Sequence, residues 1–312
     1  MLASVTIDLD ALRLYGQIHG LDAASDDDAI HLRALPRFLD LCAAHGIRAT
    51  LFTVASDLER PAIRDAIAAA SRAGHEIANH SDSHDYRLRN LPNSEIARDL
   101  RRAHERIASV TGIAPVGFRA PGYNLAPAMI DAIVAMGYTY DSSLLPSPVY
   151  YGAKATALAL IRLRGGASQS LLDHPFALFA PTKPYRIAAT DRWDRLYRRG
   201  KTGILEIPMA VVPGVRAALI GTSITLAAHW LGVFALELLV KSAMASTPLF
   251  NLELHGIDFA DAREDAIDPL IVKHQPDLAL PIGEKLGVFD RVFRILCERA
   301  DVLPMREAVA RL

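Results

Sequence analysis

The chain has 312 residues, 51% hydrophobic and 22% charged, and its 34 Lys and Arg against 35 Asp and Glu leave a formal net charge of −1. This balance excludes a disordered segment, a collagen-like repeat and a polyanion-coating protein, so no nucleic-acid partner is expected. One large α/β domain over residues 1–312 fits the length, and only two cysteines, Cys42 and Cys297, are available, too few for a disulfide framework or a CxxC metal site. Residues 1–10 carry no basic run and already hold an acid at position 8, unlike the start of a secretory signal, so a cytoplasmic location is expected.

Strand and helix patterns alternate along the chain. Residues 5–9 alternate apolar and polar, and Leu32, Leu35, Leu39, Cys42 and Ala43 recur at helical spacing up to Gly46. Strands are predicted over 50–54 and 76–79, with a helix over 61–73 between them that Gly74 terminates. A helix opened by Asn93 or Ser94 runs to Val110, followed by a strand over 116–119, a helix over 126–136 stopped by Gly137, and a strand over 138–142. The pattern then breaks. Residues 144–202 are rich in Pro, Gly, Ser, Tyr and Arg and read as an insertion within the domain, long enough for a substrate-covering role. Strands resume over 203–210 and 249–254, and a helix over 286–299, a strand at 302–303 and a short helix over 305–311 complete the chain. Such alternation argues for a parallel sheet, open or closed.

The apolar segment at about 217–244 is long enough to span a bilayer. Thr222, Ser223, Thr225, His229 and Glu237 interrupt it, and an ionised Glu inside a spanning helix costs about 2.5–3.5 kcal/mol, so a buried or surface-docked helix is expected. Residues 154–164 form an apolar stretch flanked by basic residues, and Arg186, Arg192, Arg195, Arg198, Arg199 and Lys201 are interleaved with Tyr185, Trp193 and Tyr197. These read as a solvated basic face, or as contacts to an anionic membrane surface and a phosphate-bearing substrate.

Two constellations carry chemistry. Asp8 and Asp10 stand two apart at the end of the first strand, hence on one face, where two carboxylates persist only if a cation or proton shares them; taken alone they also fit solvated loop acids. His80 and His84 follow the third strand at the H-x3-H spacing that brings two imidazoles onto one side of a helical turn. All four lie at C-terminal strand ends, where parallel α/β folds place their sites. One carboxylate with two imidazoles leaves an open coordination position, as in a catalytic metal site.

The segments Thr6-Ile7-Asp8-Leu9-Asp10, His80-Ser81-Asp82-Ser83-His84, Arg119-Ala120-Pro121-Gly122-Tyr123, Asp141-Ser142-Ser143 and Leu252-Glu253-Leu254-His255 resemble, in order, the five motifs of the NodB-type polysaccharide deacetylases, carbohydrate esterase family 4. The resemblance implies a distorted (β/α)7-type barrel. It implies a divalent metal, Zn with Co, Ni or Mn as alternatives, held by Asp10, His80 and His84. By the same resemblance Asp8 is the general base, oriented by Arg119, and His255 is the general acid, partnered by Asp141. The Tyr123 N–H would contribute to the oxyanion hole, with Pro121, Gly122 and Leu254 against substrate. Two departures stand out: Leu9 separates aspartates that are more often adjacent, and no Trp follows Asp141 to wall the acyl pocket. The implied reaction is hydrolytic N-deacylation, acetyl first and formyl second, of an acylated amino sugar in a polysaccharide, glycolipid or lipid-linked form. The last would place the enzyme at the inner membrane surface. An allantoinase-like cyclic-imide hydrolase and a non-catalytic glycan-binding barrel are the alternatives.

Overall fold

The computed structural model describes residues 1–21, 28–163, 165, 168–188 and 192–312. Its strands are β1 (Leu2–Leu9), β2 (Thr50–Thr53), β3 (Glu76–Asn79), β4 (Gly117–Phe118), β5 (Tyr140–Asp141), β6 (Tyr185–Ile187), β7 (Ile204–Glu206), β8 (Leu249–His255) and β9 (Asp301–Val302). They form one sheet in the order β6-β7-β5-β4-β3-β2-β1-β8, with β9 also pairing β1; every pair is parallel except β6 with β7. The sheet curls into a distorted half-barrel. Between its two ends the chain after β7 fills the gap, where the Ala210 N–H donates to Asn251 O (3.0 Å) and Asn251 Nδ2 donates to Ile207 O (3.2 Å).

Strand alternation divides the residues between the two faces. Val5, Ile7 and Leu9 of β1 and Leu252 and Leu254 of β8 pack outward, into a core shared with Phe38, Ile63, Ile67, Phe289 and Phe293 from the flanking helices. Each such side chain contributes about 1.5–3 kcal/mol on full burial. Thr6, Asp8, Asn251 and Glu253 take the other face, inside the curl, where they bond one another and the β4 and β5 ends. Toward the N-terminal strand ends the interior closes with Phe52, Tyr140, Ile207 and Leu249 packed on Met305 and Ala308 of the last helix. Gly117 is required there, because a Cβ would lie 1.9 Å from the Tyr140 ring.

Helices Leu35–Ala44, Pro61–Arg72, Asn93–Thr111, Pro127–Ala135 and Ile282–Arg299 stand where periodicity places them. Three differences matter. A helix over Leu12–His19 follows the first motif, in a segment where the pattern predicts no element. The insertion contains a helix over Pro148–Leu163 and the antiparallel edge strand β6, so residues 154–163 are helical, while Arg164 lies outside the described residues. The apolar segment is two helices, Gly221–Leu231 and Val233–Ala245, broken at Gly232 (φ 84, ψ 153). Among the described residues no helix is long and apolar enough to cross a membrane. The pair buries Ile224, Ala228, Leu236, Val240 and Met244, and exposes Trp230, Leu231, Phe234 and Leu238.

Candidate active site

The site sits at the C-terminal ends of β1, β3, β4 and β8. The segment after β3 is not the helical turn that the H-x3-H spacing suggested. It is a loop in which Ser81 (φ 66) and His84 (φ 50) adopt left-handed backbone, a costly conformation for non-glycine residues that local hydrogen bonds sustain. Asn79 Oδ1 accepts from the Ser81 N–H (2.8 Å), Ser81 Oγ from the His84 N–H (2.9 Å), and the Asp99 carboxylate from the N–H groups of Asp82 and Ser83.

That loop brings both imidazoles to Asp10. His80 Nε2 and His84 Nε2 stand 3.4 and 3.2 Å from Asp10 Oδ1, and one ligand atom from each of the three residues lies within 4.8 Å of the others. His80 Nδ1 contacts the Arg119 carbonyl at 2.7 Å. A carbonyl only accepts, so Nδ1 carries the proton and the Nε2 lone pair faces Asp10, as in metal-ligating histidines. Both His84 ring nitrogens and Asp10 Oδ1 are buried without a hydrogen-bond partner. Unpartnered buried donors and acceptors are costly, and a divalent cation would satisfy this set; the donor chemistry, two imidazoles and a carboxylate, fits that role.

Asp8, two residues upstream on the same face, meets different partners. Arg119 is fully buried, with Nη1 on Asp8 Oδ1 (2.5 Å), Nε on Ser142 O (2.8 Å), Nη2 on Thr6 Oγ1 and Ser142 Oγ (3.0 Å each), and its guanidinium 4.0 Å above the Phe52 ring. A permanently charged planar fork suits such a position. Burial raises the Asp8 pKa above the usual carboxylate value, against the opposing pull of Arg119 and His80. Asp8 Oδ2 is 3.7 Å from His80 Nε2, so the base position adjoins the metal cradle.

On β8 the structure departs from the implied roles. Glu253 Oε1, not Asp141, lies 3.0 Å from His255 Nδ1. Asp141 points to the other side of β5, where its Oδ1 accepts from Ser143 Oγ (2.6 Å) and its register partner is Glu206 of β7. Tyr123 (φ 64) also differs: its N–H donates to Ala120 O (3.0 Å) and is already engaged. Its hydroxyl enters the site instead, donating to Glu253 Oε1 (3.0 Å) and lying 3.4 Å from His255 Nε2. Leu254, expected against substrate, faces the helical layer and is fully buried. Pro121 and Gly122 form the turn before Tyr123; Gly122 has φ 58, and a Cβ there would approach the Tyr86 ring to 2.9 Å.

Glu253, Thr6 and Ser142 all lie within the quoted motifs, where none had been given a role; Thr6 and Ser142 hold Arg119. For Glu253 the signal was available: in a strand it shares a face with His255.

The insertion reaches over this region. The Gln169 N–H donates to Gln17 O (3.3 Å), Ser168 Oγ bonds Ile18 O, and Gln17 and Gln169 line a cavity of about 310 Å³ with Ser83, His84, Asp85 and Arg87. Of the basic group in the insertion, Arg192 and Arg198 pair with Asp194 on the surface, while Tyr185 and Tyr197 are buried.

Residues 26–140 match the polysaccharide deacetylase family, a span that holds His80, His84 and Arg119 but neither Asp8 nor His255. The peptidoglycan deacetylase of Helicobacter pylori is 26% identical over 214 residues, 67% of this chain; the match spans 64% of that protein's length. Two solved structures of candidate polysaccharide deacetylases share the fold over 99% of this chain and 89% of theirs. The one from Mycobacterium smegmatis has a TM-score of 0.58 at 17% identity, and the one from Pseudomonas aeruginosa PAO1 has 0.57 at 14%. The resemblance is therefore borne out in the fold and, over residues 26–140, in the match to the polysaccharide deacetylase family.

Proposed function

We propose that this chain, matched to the polysaccharide deacetylases, is a metal-dependent hydrolase that removes an acyl group, acetyl first and formyl second, from the nitrogen of an amino sugar. The observation that carries the reading is the cradle of Asp10, His80 and His84, in which Asp10 Oδ1 and both His84 ring nitrogens have no hydrogen-bond partner, with a buried carboxylate, Asp8, on one side and the His255 imidazole, 3.0 Å from Glu253, on the other.

Asp10, His80 and His84 would hold the cation. When bound, a divalent metal lowers the pKa of the attacking water and polarises the acyl carbonyl. Asp8 takes the proton from that water, and its burial-raised pKa makes it a stronger base than an exposed carboxylate. Arg119 fixes the Asp8 carboxylate through Oδ1 and leaves Oδ2 directed toward His80. His255 gives its proton to the departing nitrogen. Burial would lower its pKa, but Glu253, then Asp8 and Asp10, raise it well above the ordinary imidazole value, so the ring is charged near neutral pH. An apolar group of Leu145, Met209, Val211 and Ile220 around Tyr123 supplies a wall for a small acyl group where the fourth motif lacks a Trp.

A lipid-linked substrate, met at the inner membrane surface by a cytoplasmic enzyme, is the finer part of the proposal. The exposed Trp230, Leu231, Phe234 and Leu238 support it, and co-sedimentation with anionic vesicles at low salt is the check: no binding would remove it. The main reading is tested by incubating Zn-loaded protein with acetylated and formylated amino-sugar oligomers and measuring released acid. Release that disappears in Asp8→Asn supports it, and no release with any divalent metal overturns it.

A further inference from the structure

The acid side of the site poses a question that the five motifs do not answer: which group keeps the proton on His255 when Asp141 is directed elsewhere. Asp141 is committed to another network. Tyr140 and Ser142 project into the curl, to Glu76 and Arg119, so Asp141 between them projects outward. There Asp141 Oδ2 and Glu206 Oε2, on register-paired residues, are both fully buried without a donor. Two carboxyl groups so placed share a proton.

On β8 the side chains at 251, 253 and 255 share the inner face. Glu253 is fully buried, and its Oε1 lies within 3.0 Å of both His255 Nδ1 and the Tyr123 hydroxyl. Because the Tyr123 hydroxyl spends its proton on Glu253, its oxygen can only accept from His255 Nε2, 3.4 Å away. Both ring nitrogens are then donors, the pattern of an imidazolium.

We propose that Glu253 is the positioning residue of His255, with Tyr123 joining the two through its hydroxyl, so that the proton donor is oriented from within its own strand and Asp141 has no part in it. The proposal rests on the reading of His255 as the proton donor. Placing donor and partner two residues apart on one strand makes their geometry independent of the packing of β5 against β8. The other charged groups around the ring are Asp8 from β1, Asp10 beyond it, Arg119 beyond β4, Asp258 from the turn after β8, which accepts the His255 backbone N–H at 2.7 Å, and the buried Asp277 beyond Asp258. Burial pushes Asp258 up to about 7, so it adds less negative charge near neutral pH than Glu253, which His255 and Arg119 hold below its ordinary value against the effect of burial.

The test is NMR titration of ring-¹⁵N-labelled histidine in the purified protein, with the His255 resonances identified by their loss in His255→Gln. Glu253→Gln is expected to lower the His255 midpoint by at least one pH unit, Tyr123→Phe by less, and Glu253→Asp to restore part of the shift, while Asp141→Asn leaves it in place. If Glu253→Gln does not fold, the comparison of Glu253→Asp and Tyr123→Phe with Asp141→Asn decides. A midpoint that moves in Asp141→Asn and stays in the Glu253 and Tyr123 variants overturns the assignment. No turnover is needed, so failure to hydrolyse acylated amino sugars would count against the proposed function and not against this pairing. In an active enzyme, the alkaline limb of kcat should move to lower pH in Glu253→Gln, which a merely structural glutamate would not cause.

Discussion

The two sides of the site satisfy their polar atoms differently. Around Asp10 the ligating atoms face one another with no donor between them, and both nitrogens of His84 are unpartnered. Around His255 both ring nitrogens have partners, and one carboxylate oxygen takes two donors. The first arrangement is incomplete without a cation and the second is complete with a proton. The difference separates a place that binds an electrophile from a place that stores the proton delivered to the leaving group, with Asp8 and Arg119 between them.

The largest effect should come from emptying the cation side. Asp10→Ala or His84→Ala removes a ligand, and the loss of several kcal/mol of charge stabilisation should lower turnover about 10³-fold or more, measured as acid release from the best substrate at saturating metal. Asp8→Asn should lower turnover by about 10²–10⁴-fold yet keep the metal, because Asp8 adjoins the cradle without completing it. A variant that loses metal and activity together would place Asp8 among the ligands.

Two further predictions concern stability. Leu254→Ala should destabilise the fold by about 2–5 kcal/mol in urea unfolding while leaving KM little changed, since Leu254 faces the helices. A raised KM at unchanged stability would return it to the substrate side. The smallest effect concerns His31, fully buried 3.8 Å from Asp57, whose pKa burial and then Arg13 and Arg60 lower to about 4. Between about 6.5 and 4 the unfolded chain binds the proton that the folded one refuses, so stability falls as pH falls through that window. The contribution of this residue reaches about 3 kcal/mol at most, and unfolding curves of wild type and His31→Gln should converge toward pH 4. Parallel curves would contradict it.

The scaffold was legible because period and punctuation agree: β1, β2, β3, β8 and the helices ending before Gly74, Gly112 and Gly137 are where alternation and helical spacing put them. The cradle was legible as residue types at strand ends. Its local form was not, since the H-x3-H spacing suggests a helix, whereas backbone N–H groups donating to the side chains of Asn79, Ser81 and Asp99 hold a loop with two left-handed residues. The Leu12–His19 helix escaped notice because Ala11 offers no side-chain cap. The motifs place Asp141 beside His255 and the structure places Glu253 there, because a motif gives order along the chain and not the face of the strand. Alternation sends Asp141 away from the curl, and the same rule applied to β8 would have found Glu253.

The most direct test of the division between a cation side and a proton side is elemental analysis of purified protein beside four variants. The account predicts about one divalent transition metal per chain in wild type, retained in Asp8→Asn and Glu253→Gln and lost in Asp10→Ala and His84→Ala. Negligible metal in wild type after reloading at neutral pH, or equal loss in all four variants, would contradict it.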